Sequence, residues 1–289
     1  MNRADFIATP GKRVHLKDRD PAATGKYDKE EEAAEKLAKD VRRLAKWQEK
    51  LYAQNTHALL LILQGMDTSG KDGIIRHVMA GVNPQGTQVF SFKKPSPEEL
   101  DHDYLWRSAK ALPERGRIGI FNRSYYEEAL VVRVHPELLA AEQLGREVPE
   151  KKIWKRRFKE MRNFEKYLVH NGIRVLKVFL HISKEEQKRR LLSRIDDPQK
   201  NWKFSLGDVT ERQHWDAYQH AFESALTHTS TKWAPWYIIP ADHKWFARVA
   251  VADLVARTLK SLKPHYPELD DEQRKSLRIA REQLEQEPS

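Results

Sequence analysis

The sequence contains no cysteine, which excludes a disulfide framework, thiol chemistry and a cysteine-based zinc site. It has no apolar run approaching the roughly 20 residues of a membrane-spanning helix, and residues 1–20 lack the apolar segment of a secretion signal. We therefore expect a soluble, cytoplasmic protein. Acidic residues are in deficit, with 42 Asp and Glu against 52 Lys and Arg, a net charge of +10. This excess favours polyanionic partners, such as nucleic acid, an anionic membrane or phosphate chains, without choosing among them.

Residues 59–78 have the pattern of a strand, a glycine-bounded turn and a helix start. An apolar run leads into GMDTSGKDG, the context that a G-x-x-x-x-G-K phosphate-binding loop requires. Backbone N–H groups and the positive end of the next helix form an anion site there. The motif departs from its common form twice: Asp72 stands where Ser or Thr usually reaches Mg²⁺, and Asp67 places a carboxylate inside the loop. The predicted phosphate-binding residues of the loop are Gly65, Ser69, Gly70, Lys71 and Asp72.

Strand and helix patterns alternate along most of the chain. Strands are predicted at residues 59–63, 88–92, 117–121, 174–182 and 236–240. Helices are predicted at 28–54, from the loop to 82, and at 97–113, 149–171, 184–195, 210–228 and 245–262. This alternation predicts an α/β fold whose parallel sheet is covered by helices on both faces, with a site at the carboxyl ends of its strands.

The composition divides the chain into an arm, a domain and a tail. Residues 1–27 are polar and contain several prolines and glycines, so we predict an extended arm. The domain is predicted at residues 28–264, and residues 265–289 form a charged tail that is helical in part.

Carboxylates at two predicted strand ends are candidates for a metal site. Phosphoryl transfer needs mainly positioning and charge neutralisation, and a divalent metal needs oxygen ligands. The third strand ends at Asn122, where many phosphate-loop enzymes have Asp. Glu127 and Glu128 follow closely and could restore the missing charge beside Asp67 and Asp72. The alternative is that both glutamates begin a solvated helix.

Three arginines are candidates for phosphate binding. Arg123 follows Asn122 directly, where an arginine would meet a transferring phosphate. Arg133 lies within an apolar run, so its charge needs a partner, either an anionic ligand or an internal salt bridge. The same two alternatives apply to Arg107.

The polar segment at about 196–210, with the sequence DPQKNWKFSLGD at its centre, is the predicted lid. Lys200 and Lys203 flank Trp202 there, and closure would exclude water, which otherwise competes as the acceptor. Alternatively, the tryptophan only holds a surface loop in place. The basic helix at 151–166 is either an ordinary solvated face or a track for a long polyanion, and the sequence favours neither.

Four segments, taken together and in order, resemble the polyphosphate kinase 2 family. They are LQGMDTSGKDG, FNRSYYEEALVVRVH, DPQKNWKFSLGD and APWYIIPA. The resemblance extends from about Asp28 to about Leu262. It implies an α/β P-loop kinase fold, similar to thymidylate kinase, with a helical lid. It also implies transfer of a terminal phosphate between inorganic polyphosphate and a nucleotide, with Mg²⁺ as the cofactor and Mn²⁺ as a substitute.

The resemblance also assigns roles to residues. It makes Asp67 a metal- or phosphate-organising carboxylate, Lys71 the loop lysine, and Arg123 the arginine of the strand-three motif. Lys200 and Lys203 become the lid cations, and Arg107 matches an arginine that recurs in the family's third helix. One-step enzymes of the family carry FDRSWYNR, whereas this chain has FNRSYYEE. At Asn122 and Glu127 the chain therefore resembles class III of the family, whose members phosphorylate both AMP and ADP.

We therefore predict direct in-line transfer from polyphosphate to AMP and ADP, forming ADP and ATP without a covalent intermediate, with other nucleoside mono- and diphosphates as further acceptors. The catalytic residues would be Asp67, Lys71, Asn122, Arg123 and Glu127, and the metal ligands Asp67, Glu127 and Glu128. The partners would be polyphosphate, AMP, ADP and ATP, with no nucleic acid and no membrane, in a homodimer or homotetramer. The alternatives are an ATP-dependent nucleotide kinase and a polyanion-binding module with a degenerate site.

Overall fold

The computed structural model describes residues 2–142, 144 and 150–287. The predicted arm and tail therefore each include residues outside these ranges, namely Met1 and residues 288–289. The first residue of the helix predicted at 149–171 also lies outside them.

A parallel sheet of five strands forms the centre of the protein. The strands are β1 (Ala58–Gly65), β2 (Thr87–Ser91), β3 (Ile118–Asn122), β4 (Ile173–His181) and β5 (Trp236–Pro240). Their order is β2-β3-β1-β4-β5, and every neighbouring pair is parallel. The central strand β1 is buried along its whole length, as expected for a strand covered on both faces. All five predicted strands are confirmed.

Helices cover both faces of the sheet. In chain order they are α1 (Glu30–Gln54), α2 (Lys71–Val78), α3 (Pro97–Leu100), α4 (Trp106–Lys110), α5 (Glu127–Val134), α6 (Glu137–Ala140), α7 (Glu150–His170), α8 (Lys184–Asp196), α9 (Leu206–Glu211), α10 (Trp215–Thr229), α11 (Lys244–Ser261) and α12 (Asp271–Glu285). The hydrophobic core has two parts, one with α1, α2 and α11 and the other with α5, α7 and α10. The predicted α/β class is confirmed.

Two predicted helices are interrupted. The helix predicted at 97–113 begins with the expected capping box of Ser96 and Glu99, but it stops at Leu100. Asp103 accepts a hydrogen bond from the backbone N–H of Leu105 and so favours a turn before α4. The helix predicted at 210–228 is also split, because α9 and a short 3₁₀ turn precede α10.

The N-terminal segment packs along the outer edge of β5. Ile7 forms an antiparallel bridge with Tyr237, and the backbone N–H of Ala8 donates to the carbonyl of Trp236 at 2.9 Å. Ser230 Oγ donates to the carbonyl of Ala8 at 2.5 Å. This segment therefore occupies hydrogen-bonding groups that an open edge strand would expose.

Helix α12, in the predicted tail, is exposed along its length, and a capping box between Asp270 and Gln273 fixes its start. Within the described parts of the chain, none of the helices has the length and apolar character needed to cross a bilayer.

Candidate active site

The phosphate-binding loop connects β1 to α2 at the carboxyl edge of the sheet. Gly65 has a φ of +155°, and a Cβ at this position would lie 2.8 Å from the carbonyl oxygen of Leu180. Gly70 has a φ of +106°, and Thr68 also adopts a left-handed conformation at +63°. The buried hydroxyls of Thr68 and Ser69 have no hydrogen-bond partner among the described residues. The loop therefore combines tight backbone geometry with free polar groups, as an anion site requires.

Lys71, the first residue of α2, folds back over this loop. Its Nζ donates to the carbonyl oxygens of Gly65 at 2.7 Å and Met66 at 3.2 Å. Burial, reinforced by the nearby charge of Arg123, lowers the Lys71 pKa to about 8, although Asp67 acts in the opposite direction. The ammonium is thus held inside the protein with carbonyl partners that a phosphate oxygen could replace.

Asp67, Arg123 and Glu127 form a group that we call the cavity cluster. Arg123 donates to Asp67 Oδ1 at 2.5 Å through Nη2 and to Glu127 Oε2 at 3.0 Å through Nη1. Its φ is +65°, and its backbone N–H donates to the carbonyl of Leu63 at 3.0 Å. The charge of Glu127 and then that of Asp67 raise the Arg123 pKa against the effect of burial. The guanidinium therefore stays charged between two carboxylates.

Asn122 links strand β3 to the phosphate-binding loop. Its Nδ2 donates to Asp72 Oδ1 at 2.8 Å, and Ser91 Oγ lies 3.4 Å away. Asn122 stands where many phosphate-loop enzymes have Asp at the end of strand three. Asp72 stands where Ser or Thr usually follows the loop lysine. These two departures contact each other, because the neutral amide can donate to the carboxylate whereas a second carboxylate would repel it.

A second group, which we call the wall cluster, consists of Arg107, Glu128, Glu142 and Arg157. Arg107 donates to Glu128 Oε1 at 3.2 Å and to the carbonyl of Lys93 at 2.8 Å. Arg157 donates to the carbonyl of Glu128 and pairs with Glu142. Burial, and then the charge of Glu142, raise the Glu128 pKa to about 7. Of the two alternatives for Arg107, the structure shows the internal salt bridge.

Glu128 is therefore held differently from its neighbour Glu127. Its carboxylate is engaged by buried arginines, so metal binding by Glu128 would require these pairs to separate. Arg133 packs its guanidinium over the ring of Trp154, at 5.8 Å from the centroid. The phosphate-binding role of Arg107 and Arg133 and the metal role of Glu128 remain predictions.

These clusters border a large open cavity of about 1120 Å³. The lid residues Lys200, Trp202 and Lys203 also line it. Lys200 pairs with Asp197 at 2.6 Å, and Lys203 lies 4.8 Å from the ring centroid of Trp202, whose exposed fraction is 78%. This tryptophan therefore faces the cavity and solvent. It does not fix the loop to the core of the domain.

Several cavity cations were not identified from the sequence. They are Lys93, Lys94, Arg189, Arg194, Lys244 and Arg248. The sequence offered a signal for the last two, because Lys244 and Arg248 lie in the first two turns of α11, the end at which the helix dipole disfavours positive charge.

Helix α8 supports the loop through residues that the sequence analysis also missed. Arg190 is buried and donates to the carbonyl of Thr68 at 2.9 Å and to that of Ala241 at 2.6 Å. Gln187 Nε2 donates to the carbonyl of Asp67 at 3.2 Å. The helix that precedes the predicted lid thus holds two backbone carbonyls of the phosphate-binding loop.

A buried polar network supports the turn after β3. Lys177 and Glu165 form an ion pair of 2.7 Å in which both side chains are fully buried. Tyr125 and Tyr126 each donate a hydroxyl hydrogen bond to Glu165, at 3.0 and 2.6 Å. These bonds connect the residues that follow Arg123 to α7 and β4, and so help to fix the direction of the arginine.

The oxygen donors of the site are compatible with a hard divalent cation. No group of three or more His, Cys, Asp or Glu residues in the described ranges has the arrangement of a metal site. Mg²⁺, however, is commonly held by one or two carboxylates together with substrate phosphates. Asp67 and Glu127, on either side of Arg123, provide two such carboxylates. The residues therefore fit an ion whose coordination the substrate completes.

Comparison with known proteins gives a consistent result. The model of the family described as Polyphosphate kinase 2 (PPK2) matches residues 26–267. An ADP-polyphosphate phosphotransferase of Rhodopseudomonas palustris is 54% identical over 259 residues, which cover 89% of this chain and 90% of that protein. An AMP/ADP-polyphosphate phosphotransferase of Meiothermus ruber is 44% identical over 264 residues, which cover 91% and 95%.

A solved structure agrees with these sequences. The crystal structure of Polyphosphate Kinase 2 from Arthrobacter aurescens TC1 superposes with a TM-score of 0.84 at 40% identity. The alignment covers 95% of this chain and 98% of that one.

Proposed function

The chain belongs to the polyphosphate kinase 2 family, and from this premise we propose that it transfers the terminal phosphate of inorganic polyphosphate to AMP and to ADP. The observation that carries the proposal is the position of the cavity cluster, a charged arginine between two carboxylates, beside the phosphate-binding loop and its buried Lys71 at one sheet edge. The relatives named ADP- and AMP/ADP-polyphosphate phosphotransferase support both the donor and the acceptors.

The transfer would proceed in line and in one step. An oxygen of the acceptor's terminal phosphate forms a bond to the terminal phosphorus of polyphosphate, while the bridging P–O bond to the rest of the chain breaks. The shortened chain leaves as the anion. Because this transition state is loose and its charge lies mainly on oxygen, the protein contributes by positioning and neutralisation. No covalent intermediate on the protein is needed.

Two cations would neutralise the transferring group. Lys71 would exchange its carbonyl partners for phosphate oxygens, and the bound anion would favour its protonated form. Arg123 is held between Asp67 and Glu127, so its planar guanidinium could face the phosphorus without reorganisation. The backbone N–H groups of the loop would hold the adjacent phosphate.

Mg²⁺, with Mn²⁺ as a substitute, is the cofactor that we propose, and Asp67 and Glu127 would hold it. When bound, such an ion supplies neutralisation of phosphate oxygens. Asn122 holds the carboxylate of Asp72 at the end of β3 through its amide. Lys200 and Lys203 would close over the phosphates and exclude water.

The acceptor range is the most specific part of the proposal. Asn122 and Glu127 carry the resemblance to class III, and the Meiothermus ruber relative is named for both AMP and ADP.

We also propose that the protein forms a homodimer or homotetramer in the cytoplasm and acts without nucleic acid or membrane.

The test is a donor and acceptor comparison with the purified chain. With polyphosphate and Mg²⁺, we expect ADP from AMP and ATP from ADP, each followed by chromatography. The same acceptors with ATP in place of polyphosphate separate the proposal from an ordinary nucleotide kinase. Activity with ATP alone, or polyphosphate binding without turnover, would contradict the proposal.

A further inference from the structure

The outward face of α7 carries a row of positive charge that lies outside the cavity. Among the α7 residues whose burial the structure describes, five cations are exposed on this face, and we call them the α7 stripe: Lys152, Lys155, Arg156, Lys159 and Lys166. Their spacing of three, four, seven and fourteen residues from the first places them on one side of the helix. With 21 residues, the helix is about 31 Å long. Four of the five lie within residues 152–159, and Lys166 continues the row toward the C-terminal end of the helix.

This arrangement costs helix stability. Like charges three or four residues apart repel by roughly 0.2–0.5 kcal/mol per pair, and Lys152 and Lys155 each have two such neighbours. The positive residues also stand near the N-terminal end of α7, where the helix dipole disfavours them. Among the described residues, Lys152, Lys155 and Lys159 have no salt-bridge partner, while Arg156 pairs with Glu160 at 3.3 Å. Lys166 lies 5.8 Å from the ring centroid of Trp233. The fold therefore gains a visible contact from Arg156 and Lys166, but none within the described ranges from the charges of Lys152, Lys155 and Lys159.

Helix α1, on the other face of the sheet, shows the ordinary alternative. Lys39, Arg42 and Lys46 are exposed at the same spacing as Lys152, Lys155 and Lys159. Glu35 lies four residues before the first of them and Glu49 three residues after the last, so opposite charges compensate. The uncompensated charge of the α7 stripe is thus not a general feature of the exposed helices.

The position of α7 connects the stripe to the site. Helix α7 runs directly into β4 through a tight turn, so its N-terminal end lies at the carboxyl edge of the sheet, near the cavity. On its inner side Arg157 contacts Glu128, which lines the cavity, and Glu160 accepts a hydrogen bond from Tyr104. A polymer that leaves the cavity at this edge would reach the stripe at its most positive end.

We propose that the α7 stripe binds the distal part of a long polyphosphate chain whose terminal phosphates occupy the cavity. The inference rests on the proposed function, because it takes polyphosphate as the donor. Tethering by the bound end raises the effective concentration of the remaining chain, so weak contacts along the stripe suffice. Single-stranded nucleic acid fits less well, because such sites place aromatic side chains among the cations. Residues 152–159 expose no aromatic ring, because Trp154 and Phe158 are buried, and the exposed Tyr167 lies toward the other end of the helix beside Lys166.

The experiment compares two triple variants with an equal change of charge. The test variant carries Lys152→Gln, Lys155→Gln and Lys159→Gln, and the control carries Lys39→Gln, Arg42→Gln and Lys46→Gln. Each is assayed with AMP and two donors, a long-chain polyphosphate and a short linear one that fits within the cavity. Thermal unfolding confirms that both variants fold.

We expect the test variant to raise the KM for the long chain roughly three- to tenfold and to weaken its salt dependence, because three phosphate contacts are lost. The KM for the short chain, the kcat and the control variant should stay unchanged. Equal responses of the two variants, or an equal rise of KM for both donors, would overturn the inference. The inference would also be overturned if the test variant lost binding to single-stranded RNA while its KM for long-chain polyphosphate stayed unchanged, because the stripe would then bind nucleic acid. Absence of turnover with either donor in the unaltered chain would instead count against the proposed function.

Discussion

Two arginine–carboxylate clusters lie side by side at the carboxyl edge of the sheet, and they differ in exposure. In the cavity cluster the side chains of Arg123 and Asp67 are 36% and 26% exposed. In the wall cluster Arg107 and Glu128 are each 6% exposed. The first can exchange a protein partner for a ligand at little cost. In the second, separation would leave buried charges unpaired, so it is suited to holding the wall in place.

The adjacent residues Glu127 and Glu128 show how one helix serves both clusters. Successive positions on a helix point in directions about 100° apart, so Glu127 meets Arg123 while Glu128 meets the buried arginines. Chemical identity alone therefore does not separate a site residue from a structural one. The following predictions test this division.

The largest effect is expected for Arg123→Ala in the cavity cluster. We expect kcat/KM to fall about 1000-fold, equivalent to roughly 4 kcal/mol, because a fixed positive charge beside the transferring group is lost. The unfolding temperature should change less than in the wall cluster, because Asp67 and Glu127 line the open cavity and water can replace the lost arginine there. A fall in stability without a fall in kcat would reverse the roles of the two clusters.

For the wall cluster, Arg157→Met should lower the free energy of unfolding by about 3 kcal/mol, because Glu128 and Glu142 lose a buried partner. The kcat should remain within a few-fold of the unaltered protein. Arg156→Met, at the adjacent exposed position, is the control and should change stability by less than about 0.5 kcal/mol. Urea unfolding measures both, and equal values would show that the buried pairs contribute no special stability.

Glu127→Gln and Glu128→Gln compare the clusters at neighbouring positions. We expect Glu127→Gln to reduce kcat about 100-fold and to increase the Mg²⁺ concentration needed, because a carboxylate that faces the cavity is lost. Glu128→Gln should stay within about threefold, since its raised pKa shows that the neutral form is already accessible near neutral pH. Metal titrations of both variants provide the measurement. A Mg²⁺ requirement that changes only in Glu128→Gln would support the predicted metal role of that residue.

The smallest effect concerns pH and Lys71. Because its pKa is lowered to about 8, Lys71 loses its charge at a pH well below that at which an ordinary lysine does. We therefore expect kcat/KM to fall by up to tenfold per pH unit above about pH 8, whereas kcat should persist to higher pH because bound phosphate favours the ammonium. From about pH 8 to the ordinary lysine value of 10.5, the unfolded chain binds the extra proton, so this group makes stability rise with pH. A flat kcat/KM profile above pH 8 would exclude Lys71 as the titrating group.

Local patterns were sufficient to predict much of the fold. The strands and the phosphate-binding loop depend on consecutive residues, so their apolar runs and glycines are visible in the sequence. The break between α3 and α4 was missed because a single aspartate, Asp103, stabilises a turn inside a helical pattern.

The site was predictable where a motif places its residues together and not where pairing occurs over long distances. Asp67, Arg123 and Glu127 were identified from two motifs, and the structure brings them into contact. The contacts that Arg190 makes with the loop join residues more than 100 positions apart and leave no periodic signal. Burial of Arg107 against Glu128 could likewise only be weighed as one of two alternatives.

The N-terminal segment along β5 has a consequence for how the protein is made. The ribosome synthesises Ile7 and Ala8 long before their partners Trp236 and Tyr237. During translation the segment therefore has no place to dock, and the edge of β5 can close only late. Contacts of such sequence separation form slowly. Residues 7 and 8 thus leave the ribosome well before the partners that fix their native positions.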